Sequence, residues 1–227
     1  YVNGFYMNDE HILNSANGDD RFGFDMNYSN ATSYLLHPQI YMYNNVATYV
    51  HNTMGKKLMW APFFGTGSYY STTIKDIQHV VNRTNIFDYV FLQPNYYFRK
   101  SGPIKFNLNT IRESIRDKQV HNRGVDANQN NIFVKNLTKT SSTIIGCQME
   151  VDEFYYRDRT ATSNRDAATY QDLQQRYADY VSIMSATLTS PSYKKSTTDF
   201  SYYVGEYDSD PNKRFTDLQG LVRAFYA

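Results

Sequence analysis

Cysteine is almost missing from this sequence: Cys147 is the single one, so no disulfide framework can hold the fold. Charge of one sign is missing as well. Lys and Arg number 23 against 22 Asp and Glu, a formal net charge of +1, and no global field favours a nucleic acid or an anionic membrane as partner. No apolar run reaches the roughly 18 residues that a membrane-spanning helix needs. The chain opens on Tyr-Val-Asn-Gly-Phe-Tyr without a signal-peptide pattern, and a domain soluble as given is expected. What is plentiful is tyrosine. Its 22 residues, within 16% aromatics, exceed what a core needs, because Tyr is only intermediate in its tendency to be buried. Some rings are therefore expected at surfaces or in a cleft. Stacking on sugar faces and a general richness in Tyr and Asn explain the count equally well. A length of 227 residues suits one sizeable domain, 1–227. Asn27, Asn30, Asn82 and Asn136 begin glycosylation sequons, about as many as chance provides in so Asn-, Ser- and Thr-rich a chain.

The most informative stretch is Ile144 to Phe154, Ile-Ile-Gly-Cys-Gln-Met-Glu-Val-Asp-Glu-Phe. Alternation along a strand puts Gly146, Gln148, Glu150 and Asp152 on one face and Ile145, Cys147, Met149 and Val151 on the other. A greasy face beside a polar one ending in carboxylates is what a (β/α)-barrel strand requires: the outer face packs on helices and the C-terminal end lines the site. Glu150 is the first catalytic candidate, and Cys147 reads as a small core residue. The competing interpretation is an acidic strand end, Glu150, Asp152 and Glu153, facing solvent.

Along the chain, Tyr1 to Glu10 alternates as a strand ending in the second candidate, Glu10, on the face of Gly4, Tyr6 and Asn8. Asn14 to Asn30 reads as a long loop. Thr32 to Thr53 has helical spacing (Leu36, Ile40, Tyr43, Val46, Ala47, Val50) with Gly55 as its stop and Pro38 tolerable only near its start. A strand over Lys57 to Gly65 precedes a Gly- and Tyr-rich loop, Thr66 to Tyr70, and a helix over Thr73 to Arg83. The strand Phe87 to Tyr97 exits through Gln93, Asn95 and aromatic rings, groups that suit a neutral, hydroxyl-rich ligand. A helix over Leu108 to Val120 and a polar insertion without period, Asn122 to Thr140, come before the Ile144 strand. A helix over Arg165 to Leu188, a strand over Phe200 to Glu206 and a helix over Phe215 to Phe225 follow it. Five strand-helix units argue for a parallel sheet. Eight units are not there, so the expectation is an open sheet or the C-terminal part of a barrel.

Gly4-Phe5-Tyr6-Met7 running to Glu10, Trp60-Ala61-Pro62-Phe63-Phe64-Gly65, Gln93-Pro94-Asn95-Tyr96-Tyr97-Phe98, Gly146 to Glu153, and Tyr202-Tyr203 with Asp210-Pro211 and Arg214 together resemble a bacterial TIM-barrel family of unknown function. That family is similar to glycoside hydrolases of the large clan with a 4/7 arrangement of catalytic carboxylates. The resemblance spans almost the whole chain. It implies an α/β fold of the (β/α)8 TIM-barrel type, with strands 4 to 8 here and the first strands missing. It places Glu10 and Glu150 where the clan has its acid/base and its nucleophile, and it implies a secreted or cell-surface carbohydrate-active protein without cofactor. Asp9 precedes Glu10, where the clan often has Asn.

The leading expectation is thus a retaining glycoside hydrolase, with Glu10 as acid/base and Glu150 as nucleophile. Asp152 and Tyr6 would tune these carboxylates. Trp60, Tyr69, Tyr70, Tyr96 and Tyr97 would stack on sugar, with Asn8, Gln93, Asn95 and Gln148 as further binding residues. Missing barrel strands, or another segment, would cover the sheet edges. The alternative is a carbohydrate-binding or scaffold barrel without turnover. A metal-dependent hydrolase using Asp9, Glu10, His11 and Asp152 is weaker, because Glu10 and His11 on one strand point to opposite faces. The remaining histidines, His37, His51, His79 and His121, lack ligand spacing, and no metal is expected.

Overall fold

Short runs rich in branched and aromatic residues, each followed by an amphipathic segment, pair side by side and fold their helices back over one face. The computed structural model describes residues 2–10, 12, 38–64, 70–98, 104–125, 131–134, 137–152, 155, 168–188, 200–204 and 211–226. In chain order the elements are β1 (Gly4–Met7), α1 (Pro38–Thr48), β2 (Lys57–Trp60), α2 (Tyr70–Arg83), β3 (Tyr89–Leu92), α3 (Ile104–Arg116), β4 (Asn122–Val125), β5 (Asn131–Val134), β6 (Ile144–Val151), α4 (Tyr170–Leu188), β7 (Phe200–Val204) and α5 (Pro211–Tyr226). The main sheet runs β1-β2-β3-β6-β7, every neighbouring pair parallel. It curls as a half-barrel. The five expected strand-helix units are therefore present, while a closed eight-stranded barrel is not formed by the described residues. Among them, nothing pairs with the outer edges of β1 and β7.

Register explains the two faces. Leu58 pairs with Phe5, Trp60 with Met7 and Val90, and Leu92 with Cys147. Leu58, Trp60, Val90, Leu92 and Cys147, with Ile145, Met149 and Val151, meet Ile74, Ile77, Val80 and Val81 of α2, Leu108, Ile111 and Ile115 of α3 and Leu173, Tyr177, Tyr180 and Met184 of α4 in one core; Met7 of the edge strand packs against it, while Phe5 stays exposed. The helical residues recur at three- and four-residue spacing, the stripe a helix must show to lie on a sheet. The opposite, concave face carries Tyr6, Met59 and Tyr89 in one row and Gln93, Gln148 and Glu150 nearer the strands' ends.

Several sequence-based boundaries are corrected. The stretch expected as a periodless insertion contains the antiparallel pair β4 and β5; four-residue strands are too short to show a period. The helix expected from Leu108 to Val120 begins at Ile104 and ends at Arg116. Val120 instead donates its N–H to Asn82 Oδ1 at 2.9 Å. Asn82 Nδ2 donates to the Val120 and Leu137 carbonyls. Fully buried in this way, Asn82 offers no glycosylation site. Tyr70, expected at the end of a loop, opens α2. The strand expected over Lys57 to Gly65 stops at Trp60; Pro62 has no N–H for the ladder, and its carbonyl accepts from Gln93 N at 3.0 Å. Pro38 occupies the first position of α1, where its missing donor costs nothing. A single π-helical turn, Tyr49–Thr53, then leads to Gly55 at φ 61°, the left-handed geometry that ends helices. Thr169 starts α4 by a reciprocal cap: Asp172 N–H donates to Thr169 Oγ1, and Thr169 N–H to Asp172 Oδ2.

Gly4 is required by contact. A Cβ there would stand 2.6 Å from the Lys57 carbonyl oxygen, a backbone atom fixed by the pairing of β1 with β2. Gly4→Ala is expected to destabilise the protein by about 1–3 kcal/mol, read as a lower denaturant midpoint; an unchanged midpoint would show that β1 shifts freely.

Candidate functional site

The C-terminal ends of β3 and β6 are joined by one carboxylate. Glu150 Oε1 accepts the Asn95 N–H at 2.8 Å, and its Oε2 accepts the Tyr97 N–H at 3.0 Å and the Tyr180 hydroxyl at 2.6 Å. Asn95 holds a positive φ of 53°, a conformation Asn tolerates better than most residues. The turn built on it aims both amides at one acceptor. Asp152, two residues on, accepts the Tyr97 hydroxyl at 2.8 Å. Arg176 on α4 donates to the Tyr97 carbonyl at 2.7 Å, and Tyr96 donates its hydroxyl to Asp179 at 2.5 Å. The edge of the Tyr96 ring meets Tyr180, centroids 5.7 Å apart. The loop after β3 is thus tied to two carboxylates of β6 and its exit and to one turn of α4.

This environment shifts protons. Glu150 is 1% exposed. Burial pushes its carboxyl up, the Tyr180 hydroxyl and the loop amides pull it back, and the outcome is about 7. Tyr180 is raised well above its ordinary value by burial first and by the Glu150 charge second; burial and Asp152 raise Tyr97 in the same way. The Cys147 thiol, buried on the helical side, is also pushed up by burial, which fits the inert core residue expected of it.

The expected site residues divide. Glu150, Asp152, Asn95, Tyr96 and Tyr97 come together as described, with Glu150 and Asp152 buried and hydrogen-bonded and not facing solvent; Glu153 lies outside the described residues. Tyr97 is fully buried, its ring edge-on to Phe98, so it offers no face for stacking. Trp60 is likewise removed from any cleft: it is 0% exposed, stacks on Phe87 with centroids 5.0 Å apart and meets Tyr43 of α1 at 6.0 Å. Its indole N–H donates to the Asp9 carbonyl at 2.5 Å. The alternation of Lys57 to Gly65 admits two registers, and the helical side took the larger ring. Gln93 and Gln148 are buried on the concave face, while Asn8 is exposed. Tyr6, 42% exposed, lines a separate, mainly apolar cleft of about 330 Å³ with Gly4, Lys57, Met59 and Tyr89 at the strands' opening half. Glu10 is half-buried beyond β1, its carbonyl accepting Phe63 N–H at 2.8 Å; β2 and β3 lie between β1 and β6 in the sheet. Asp9 turns to α1, accepting from Gln39 at 2.5 Å. Among the described residues no group of three or more His, Cys, Asp or Glu side chains could hold a metal ion. Tyr69, His11 and His37 lie outside the described residues.

Sequence reasoning missed Tyr180 and Arg176. Tyr180 lies within the helix expected over Arg165 to Leu188, and a Tyr among the apolar residues of a helix brings a hydroxyl that must find a buried partner. That requirement was a usable signal; for Arg176, whose partner is a loop carbonyl, the sequence held none. Compared with known proteins, the chain matches no family model, no curated protein and no solved structure.

Proposed function

We propose that the protein acts on carbohydrate at the C-terminal end of its half-barrel sheet, as a glycoside hydrolase of the (β/α)-barrel type. One observation supports this reading: a parallel strand carries Glu150, a carboxyl that burial has lifted to about 7, to the end of the sheet at which such barrels do chemistry. A carboxyl partly protonated near neutrality is suited to hand a proton to a leaving oxygen, the task expectation had given to Glu10. Glu10 is then the second carboxylate, and a retaining reaction requires the pair to come within about 5–5.5 Å around the sugar. The open edges of β1 and β7 and the exposed Tyr6 and Ile144 are where further strands or another segment would complete the barrel.

A second reading, glycan binding without turnover, is favoured by the engagement of both Glu150 oxygens at 1% exposure, which leaves neither free to meet an anomeric carbon. One experiment separates the two. Purified protein is incubated with a polysaccharide panel and reducing ends are measured for wild type, Glu150→Gln and Glu10→Gln, with near-UV circular dichroism reporting the fold. Hydrolysis predicts release by wild type that falls about 100-fold or more in each variant. Saturable binding with no release by wild type hands the protein to the second reading.

A further inference from the structure

We infer that Gln93, Gln148 and Ser201 form the floor of a subsite for a neutral polyol, a sugar ring gripped through its hydroxyls. The three stand in one row across the concave face. Leu92 pairs with Cys147, so the next residues, Gln93 and Gln148, are neighbours on the opposite face, and Gln148 pairs with Ser201. An isolated bridge from Phe63 to Gln93 continues the row toward β2. Adjacent strands space such side chains by about 4.8 Å.

What singles out the row is unmet hydrogen bonding. Gln93 and Gln148 are 6% and 7% exposed, and the amide oxygen of each is buried without a partner, as is the Ser201 hydroxyl. Buried acceptors are nearly always paired, and three orphans side by side, next to the loop that Glu150 holds, mark a place that a donor fills. The chemistry of the donor follows from the amide. Each amide accepts at oxygen and donates at nitrogen, and a hydroxyl, which donates and accepts through one atom, matches both ends. An ammonium would leave the amide nitrogens unmatched, and an anion would meet the acceptors with the wrong sign. The inference rests on the carbohydrate reading above and does not need turnover.

The test is calorimetric titration of wild type, Gln93→Leu, Gln148→Leu and Ser201→Ala with neutral β-1,4-linked gluco-, xylo- and manno-oligosaccharides and α-1,4-linked gluco-oligosaccharides, with thermal melts of the free proteins. Expected are saturable binding of at least one of these by wild type, a loss of tenfold or more in affinity in each Gln variant, and a free-protein melting temperature equal to or above wild type. The last point separates a ligand site from a structural one, since replacing an unpaired buried amide by leucine removes a burden where replacing a structural amide removes a bond. If a Gln variant does not fold, Ser201→Ala carries the affinity readout. Binding without cleavage keeps the subsite and removes hydrolysis. Cleavage with affinities unchanged in all three variants removes the subsite and keeps hydrolysis. Absence of binding by every sugar, as when water alone occupies the row, overturns the inference.

Discussion

Replacing Trp60 with alanine is expected to lower the unfolding free energy by about 3–5 kcal/mol, the range for emptying the space of a large aromatic side chain in a core. The ring is enclosed by Phe87 and Tyr43, and its indole N–H is the donor that ties the chain at Asp9 to β2. The lost hydrogen bond leaves the Asp9 carbonyl to find another partner, which places the loss toward the upper end of the range. Denaturant titration measures it, and Trp60→Phe should recover a large part of the packing but not the bond to Asp9. A sugar-stacking Trp would behave in the opposite way, with stability kept and ligand affinity lost. An alanine variant within about 1 kcal/mol of wild type would return Trp60 to the cleft.

The second large effect is a pH dependence of stability that belongs to Glu150. Burial raises its folded value from the ordinary 4.5 to about 7, so between these limits the folded protein holds a proton that the unfolded chain releases. Stability from this group is complete below pH 4.5 and is lost as pH rises through 7. The displacement corresponds to roughly 3 kcal/mol. His79 opposes it in part of the same window: burial first, and the Arg83 charge second, lower its imidazole from 6.5 to about 4. An unfolded chain that takes up a proton there gains stability relative to the fold as pH falls. The wild-type profile is therefore the sum of two slopes of opposite sign, and the informative quantity is the difference between wild type and Glu150→Gln. That difference should favour wild type progressively less from pH 5 to pH 8, whereas parallel curves would mean that Glu150 is ionised throughout. Asp88 does not blur the comparison. Burial raises its carboxyl, but Lys57, the Leu58 amide and His51 together outweigh that and hold it below its ordinary range, so it titrates on the acid side of the window.

Period and alternation alone determined that strands and helices follow one another five times, because apolar side chains must recur every second residue on a sheet and every third or fourth on a helix that covers it. They also picked out Glu150 and Asp152 as partners on one strand, and Gln93 and Asn95 at the exit of another. What the tertiary structure decided is what those residues face. Trp60 could point to either side of β2, and only the packing of α1 against Phe87 gave the larger pocket to the helical side. Glu150 read from its strand is an exposed acid or a catalyst; the turn at Asn95 and the Tyr180 hydroxyl, 55 and 30 residues away in sequence, make it a buried anchor with a proton near neutrality. The β4–β5 pair was silent for a simpler reason, since neither four-residue strand is long enough to show a period. Local pattern is carried by neighbours in sequence, while desolvation and hydrogen-bond partnership are carried by groups that only folding brings together.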